Sequence, residues 1–294
     1  MPHHAGFLRN FVMLTSKHDK IVSLLNKPYT LIDGVFHCVQ AFPAAKSAGK
    51  GFTAALQGLL KTWPGVYQFL VDAFSPVLVS RSMGGCQGTL LGRHGPDHVL
   101  INLGSGPLGL PDRPDMINVD ISAFACVDVC ADAVDLPFPD DCVDCLVNLA
   151  MLEHVPHPEA VISEMRRILK PGGEFFCYLP FCQPLHAAPY DFTRWTQDGV
   201  KGMFADFQIT ETGIGAGPTS GWLWVTVEWL SMLLSFGNAT AKDFLALGLM
   251  LLLFPVKHLD RLLERHPSAG RIASGFYIVG TKPQAPGQVP AGTA

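Results

Sequence analysis

The chain has 294 residues, enough for one large domain with additions. It is 48% hydrophobic and only 16% charged, with mean hydropathy +0.26, so the apolar excess needs a large core, a partner or a membrane surface. A net charge of -4 argues against nucleic acid as the main partner.

Eight cysteines (Cys38, Cys86, Cys126, Cys130, Cys142, Cys145, Cys177 and Cys182) are scattered through apolar runs. No disulfide framework is apparent, which fits a reducing compartment. Cys142 and Cys145 have CxxC spacing, but they sit in a run that reads as a buried strand. Residues three apart on a strand point to opposite faces. Buried thiols are expected there rather than a metal site, and no metal is expected elsewhere. Residues 1–20 lack a sustained apolar core and a cleavage pattern, so no signal peptide and a cytoplasmic location are expected.

In chain order, residues 1–92 read as a helical extension. Phe52, Leu56, Leu59 and Leu60 fall on one helical face, and a similar run continues over 66–74. From residue 97 the apolar runs shorten to strand length. Strands are expected at 98–104, 116–120, 127–132 and 142–150. A helix follows, with Val161, Ile162, Met165, Ile168 and Leu169 on one stripe and Pro171-Gly172-Gly173 as its stop. Strands at 174–180, 207–212 and 275–282 and a short helix capped by Thr196 complete the pattern. Strands alternating with helices imply a parallel α/β sheet.

Residues 213–274 form an insertion of two or three helices, apolar nearly all round. The run 244–256 falls short of the ~20 residues that a spanning helix needs. The plain reading is a buried helical pair or a homo-oligomer contact through 221–256. The sharper one is a patch that makes peripheral membrane contact, for which Trp222, Trp224 and Trp229 are suited. Residues 285–294 are rich in Pro, Gly and Ala and are expected to be disordered.

The first strand runs into Gly104-Ser105-Gly106, where backbone N–H groups can approach a ligand closely. Gly109 completes a GxGxxG pattern that would also fit a dinucleotide fold. Asp120 ends the second strand, placed to accept both hydroxyls of a ribose. Asp132 ends the third, placed to accept the exocyclic amine of an adenine. Leu136 and Phe138 follow as an apolar wall. Between loop and Asp120 lie Pro107, Pro111 and Pro114. A proline inside a helix costs ~3 kcal/mol or more, so the first crossover should be a loop or a single turn. That counts against a nicotinamide dinucleotide, whose phosphates use a helix N-terminus.

"INLGSG", "INVDIS", "ADAVDLPFPDDCVD", "LAMLEHV" and "MRRILKPGGEF" appear in order. On these motifs residues 97–212, with the last strand near 275–282, resemble the class I S-adenosylmethionine-dependent methyltransferases of the type 11 kind. The resemblance implies an α/β fold: a Rossmann-like seven-stranded methyltransferase sheet (93–212 and 275–284). A helical N-terminal extension (1–92) and the helical insertion (213–274) before the last strand would be added to it. It implies S-adenosylmethionine as cofactor. Gly104, Ser105 and Gly106 would flank its methionine part. Asp120, with Ile121 beside it, would hold the ribose. Asp132 and the Ala133 N–H would face the adenine, and Leu149 and Ala150 would lie under the sulfonium.

Methyl transfer mainly requires alignment of acceptor and methyl. A hydroxyl acceptor also needs a base. His154, His157, His186 and Asp191 follow the fourth and fifth strands, at the edge where such folds bind ligands. Tyr190 and Arg194 would line the acceptor pocket. The resemblance of "PYDFTRWT" to segments in relatives points to a sugar-like or lipid-linked acceptor. A hydroxyl of a small-molecule, glycan or lipid-linked acceptor is therefore expected to receive the methyl. The plain alternatives are a structural Asp191–Arg194 ion pair and a structural Glu153–His154 motif. For the whole chain the alternative is a non-catalytic methyltransferase fold that acts as a membrane-associated or interaction module.

Overall fold

The computed structural model describes residues 17–39, 63, 66, 69, 70, 73–186 and 190–284. Among these, nine strands form one sheet. A hairpin of β1 (Thr30–Ile32) and β2 (Val35–His37) opens the chain after a helical stretch at 17–24. Helix α1 (Arg81–Gly92) leads to β3 (Leu100–Leu103), β4 (Ile117–Asp120), β5 (Val129–Cys130) and β6 (Val143–Leu149). Then come α2 (Pro158–Ile168), β7 (Leu169–Pro180), α3 (Gln197–Met203) and β8 (Gln208–Ala216). Helices α4 (Pro218–Ser235), α5 (Ala239–Leu253) and α6 (Asp260–Leu263) precede β9 (Gly275–Thr281).

The sheet order is β1-β2-β5-β4-β3-β6-β7-β9-β8. Strands β2 to β7 pair in parallel, and β9 runs antiparallel between β7 and β8. From β3 the chain builds outward through β4 and β5, then returns to build the other way through β6 and β7. Where the order reverses, between β3 and β6, the carboxyl ends of the strands open a crevice suited to a ligand.

Alternation of side chains divides the core into two layers. Ile101 and Leu103 face a cluster that includes the α2 stripe Val161, Ile162, Met165 and Ile168. Leu100 faces the other side, with Met83, Leu90 and Leu91 of α1. Cys142 packs against the first cluster and Cys145 lies in the second, so the CxxC pair does straddle the sheet. Burial raises both thiols, to about 11 and about 12, which keeps them protonated. The Thr196 hydroxyl accepts the Gly199 N–H at 3.2 Å and caps α3 as expected.

Several expectations need correction. The extension is not wholly helical: residues 30–37 form the hairpin, and they add two strands to the expected seven by pairing β2 with β5. A short helix was not competitive there because Asp33 and Gly34 both adopt positive φ, a tight-turn conformation. The face expected on Phe52, Leu56, Leu59 and Leu60 lies outside the described residues, as does the tail 285–294. Of the following run, residues 66, 69, 70, 73 and 74 are helical. Pro171-Gly172-Gly173 does not merely stop α2 but lies within β7. A Cβ on Gly173 would stand 2.8 Å from the Lys170 carbonyl and 3.0 Å from that of Val143, so glycine permits the irregular start of the β6–β7 pairing. Leu136 and Phe138 form no pocket wall; both have no exposed surface and belong to the core.

The insertion departs most. Helix α4 buries one face, including Leu223 and Val227, whereas α5 buries no residue. The plain expectation of a buried pair therefore fails for α5. Continuous helical structure over Ala239–Leu263 is 25 residues long and apolar enough to cross a membrane by length and composition, beyond the shorter run read from sequence.

Candidate functional site

Loop 104–106 leaves β3 at the crevice and is tied at once to β4. The Gly104 and Ser105 amides both donate to the Val119 carbonyl, at 2.8 and 3.2 Å. The Gly106 amide donates to Asp120 Oδ2, and the Ser122 amide to Asp120 Oδ1, each at 2.9 Å. A carboxylate has about four lone-pair positions, so two directions remain for hydroxyl donors. Burial pushes the Asp120 carboxyl above the ordinary carboxylate range, although the Ser122 and Gly106 amides pull the other way.

No helix forms between β3 and β4; residues 104–116 are turns, as the three prolines require. Gly104 has φ +71°, and a Cβ there would stand 2.4 Å from Met151 Cγ. Glycine thus lets the segment after β6 close over the loop. Ala150, at that junction, has φ +54°, a left-handed conformation that costs a non-glycine residue about 1–2 kcal/mol. It is held by its amide, which donates to the Tyr178 carbonyl at 3.0 Å. Strain of this kind concentrates at ligand sites.

The remaining expected cofactor residues lie along the same edge. Ile121 is exposed beside Asp120. Asp132 lies two residues beyond β5, where Oδ1 accepts the Val134 amide at 3.1 Å, and Ala133 packs partly against the core. Leu149 ends β6. Ser105 Oγ is buried without a hydrogen-bond partner. An unsatisfied buried hydroxyl costs about 1–3 kcal/mol, which a polar ligand in the loop would relieve. The open carboxylate positions, the unpartnered hydroxyl and the close-packed glycine fit the ribose and amino-acid ends of S-adenosylmethionine.

A second cluster forms beyond β6 and β7. His154 lies in a short turn after β6, and His186, Tyr190, Asp191 and Arg194 follow β7. The Asp191–Arg194 ion pair is present and bidentate: Arg194 Nη2 donates to Oδ2 at 2.5 Å and Nη1 to Oδ1. The guanidinium holds the Asp191 carboxyl down at about 2, and Oδ2 also accepts the His186 amide at 2.8 Å. A carboxylate so held orients its neighbours and is a poor base. This corrects the expectation of Asp191 as a catalytic base. Tyr190 is exposed, and its carbonyl, rather than its hydroxyl, meets the cluster, 2.6 Å from His154 Nδ1. His157 is also exposed and its imidazole faces Glu159.

Glu153 was legible only as part of a motif. Its carboxylate has no exposed surface, and Oε1 lies 3.7 Å from Nε2 of both His154 and His186. Burial disfavours charge on His186, but Glu153 and the Pro184 carbonyl outweigh it and leave the imidazole above its ordinary range. Trp224 of α4 lies against His186, ring centroids 5.4 Å apart. Nothing in the sequence linked that insertion residue to the segment after β7, because the contact joins elements far apart in the chain.

Residues 110–177 match the family model described as a methyltransferase domain. Over 81 residues the chain is 36% identical to a phosphatidylethanolamine N-methyltransferase of Cereibacter sphaeroides, covering 26% of this chain and 39% of that protein. Over 57 residues it is 46% identical to a ubiquinone/menaquinone biosynthesis C-methyltransferase of Pseudomonas fluorescens, covering 19% and 22%. The matches thus span well under half the length of these relatives. Among solved structures, a Haemonchus contortus phosphoethanolamine N-methyltransferase 2 bound to phosphomonomethylethanolamine and S-adenosylhomocysteine aligns at 16% identity. That alignment covers 76% of this chain and 58% of that one, with a TM-score of 0.43. With the loop and the two strand-end carboxylates placed along one sheet edge, the match identifies a methyltransferase domain over residues 110–177 of this chain.

Proposed function

We propose that this chain transfers a methyl group from S-adenosylmethionine to a hydroxyl of a lipid-linked or glycan acceptor. The observation that carries the donor half is the unit formed by Gly106, Asp120 and the unpartnered Ser105 hydroxyl. When bound, S-adenosylmethionine supplies an activated methyl on a sulfonium. The chain's own part is then positional: Asp120 would take the ribose, the Ser105 hydroxyl the amino-acid end, and Asp132 the adenine. An acceptor hydroxyl aligned with that methyl would receive it on oxygen. The hydroxyl proton is released past the Glu153–His154–His186 cluster to solvent. Arg194 and Asp191 hold the cluster in place.

The lipid-linked class is favoured by Trp224, which joins His186 to helix α4. On α4, Trp222 and Trp229 are exposed, and α5 beside it buries nothing. An acceptor with a lipid tail would bring its head to His186 while the tail meets these helices. The names of both relatives refer to lipid-soluble molecules, which is in line with that choice. On this reading the protein is cytoplasmic and rests on a membrane through α4 and α5.

The test is transfer of labelled methyl into fractionated acceptors: membrane lipid, lipid-linked saccharide and free glycan. The reading expects label in a lipid-linked or glycan fraction, and none with Asp120→Ala. Donor binding with no label in any of these fractions would remove the acceptor class.

A further inference from the structure

Glu153 has no exposed surface, and neither carboxylate oxygen has a hydrogen-bond partner. A buried carboxylate needs compensation, and the groups that face this one are two imidazole nitrogens, each 3.7 Å from Oε1. The two imidazoles that face it are set by their other nitrogens. His154 Nδ1 lies 2.6 Å from the Tyr190 carbonyl, and His186 Nδ1 lies 3.1 Å from the Pro184 carbonyl. A carbonyl only accepts, so Nδ1 of each ring carries a proton, and the neutral form of either ring has its lone pair on Nε2, towards Glu153. Arg194 Nη2 also lies 3.1 Å from His186 Nδ1. Its two hydrogens are already used by Asp191 Oδ2 at 2.5 Å and the Pro184 carbonyl at 3.1 Å, so it has none left for the ring.

Two imidazole Nε2 atoms and one buried carboxylate therefore converge, and with both rings neutral all three offer lone pairs to one point. Both Nε2 atoms lie 3.7 Å from the same Oε1, and the three ligand atoms are all within 4.8 Å of one another. Two ligands each about 2.0–2.2 Å from one tetrahedral ion stand roughly 3.4 Å apart, close to this spacing. Histidines that bind metal through one nitrogen commonly donate the other N–H to a backbone carbonyl, as both do here. The nitrogen-rich set favours a transition metal over magnesium or calcium.

We propose that Glu153, His154 and His186 hold a divalent transition-metal ion with a coordination position open to the acceptor. Binding of the ion stands apart from the methyl-transfer reading. Its role rests on that reading: the ion would lower the pKa of a coordinated acceptor hydroxyl, whose proton leaves to solvent.

The experiment titrates the untagged full chain, stripped with a chelator, with Co²⁺ and then Zn²⁺ in the absence of methyl donor. The proposal expects one Co²⁺ per chain, visible absorption bands of nitrogen-ligated cobalt, and displacement by Zn²⁺. Affinity should fall at least tenfold in Glu153→Gln and in His186→Gln, each checked for native circular dichroism. If Glu153→Gln does not fold, the partly exposed His186 decides through its own variant. No cobalt bound at millimolar concentration, or binding unchanged in folded His186→Gln, would overturn it. A parallel titration of stripped protein with S-adenosylmethionine separates the two readings. Donor binding without metal binding overturns only this inference; metal binding without donor binding overturns only the methyl-transfer reading.

Discussion

The Gly106 amide and the Asp120 carboxylate meet at 2.9 Å, and this single bond joins the glycine loop after β3 to the end of β4. In a longer crossover a helix would brace the loop. Here three prolines exclude that helix, and the carboxylate braces the loop from the neighbouring strand. Asp120 thus shapes the loop and presents its free lone pairs to a ligand.

Asp120→Ala should remove both roles. Hydrogen bonds to a charged group contribute about 1.5–3 kcal/mol, so donor affinity should drop by roughly one to two orders of magnitude. Asp120→Asn keeps an acceptor and should lie between. Calorimetric titration of the three proteins gives the order directly.

Asp120 also predicts a pH effect. Its folded-state pKa lies above the ordinary value, so the folded chain binds this proton more readily than the unfolded chain. The stability linked to that proton is fully present below the ordinary carboxylate pKa and is lost as pH rises through the raised one. Donor binding needs the ionised form and should weaken in the opposite direction, as pH falls through that raised value. Paired melting and donor-binding curves for the chain and Asp120→Asn would check both signs; a donor-affinity profile unchanged by the substitution would contradict the assignment.

Gly104→Ala should destabilise the fold by about 1–2 kcal/mol from backbone conformation alone, with a further cost from the 2.4 Å approach to Met151 Cγ. Adding Met151→Ala removes Cγ but keeps Cβ, which would stand 2.5 Å away, so it should recover only part of the steric cost. Chemical denaturation of the single and double variants measures the split.

Met165→Ala, at a fully buried position on α2, should cost about 2–5 kcal/mol through lost transfer energy and a residual cavity. At low temperature, where the variant remains folded, donor affinity should be unchanged. A parallel loss of affinity would mean that α2 is coupled to the loop.

Leu252 and Leu262 are 71% and 74% exposed on the 25-residue apolar stretch. Replacing both with Gln should reduce co-sedimentation with anionic phospholipid vesicles and leave donor binding intact. Unchanged sedimentation would remove the membrane contact proposed for this stretch.

The geometry of the glycine loop and the strand-end carboxylate was legible because its determinants are local. Glycine before a turn, prolines that bar a helix, and a carboxylate at a strand end all act within a few residues of themselves. The α2 stripe was legible for the same reason: Val161, Ile162, Met165 and Ile168 repeat at helical spacing. The hairpin at 30–37 was not, since two three-residue strands leave no periodicity to read and gain their stability by pairing with β5. The exposure of α5 was also hidden, because an apolar sequence has the same composition whether it is buried or not. The Asp191–Arg194 pair is local and stood among the sequence readings, whereas the importance of Glu153 has a tertiary cause. Two imidazoles from different strand ends converge on it.

The central claim is donor binding at the loop braced by Asp120. The most direct measurement is isothermal titration of the full chain with S-adenosylmethionine and S-adenosylhomocysteine, with NAD as the control ligand. The account predicts that the first two bind, that both are lost or strongly weakened in folded Asp120→Ala, and that NAD does not bind. Absence of binding by either sulfur compound to folded protein, or binding unaffected by the substitution, would contradict it.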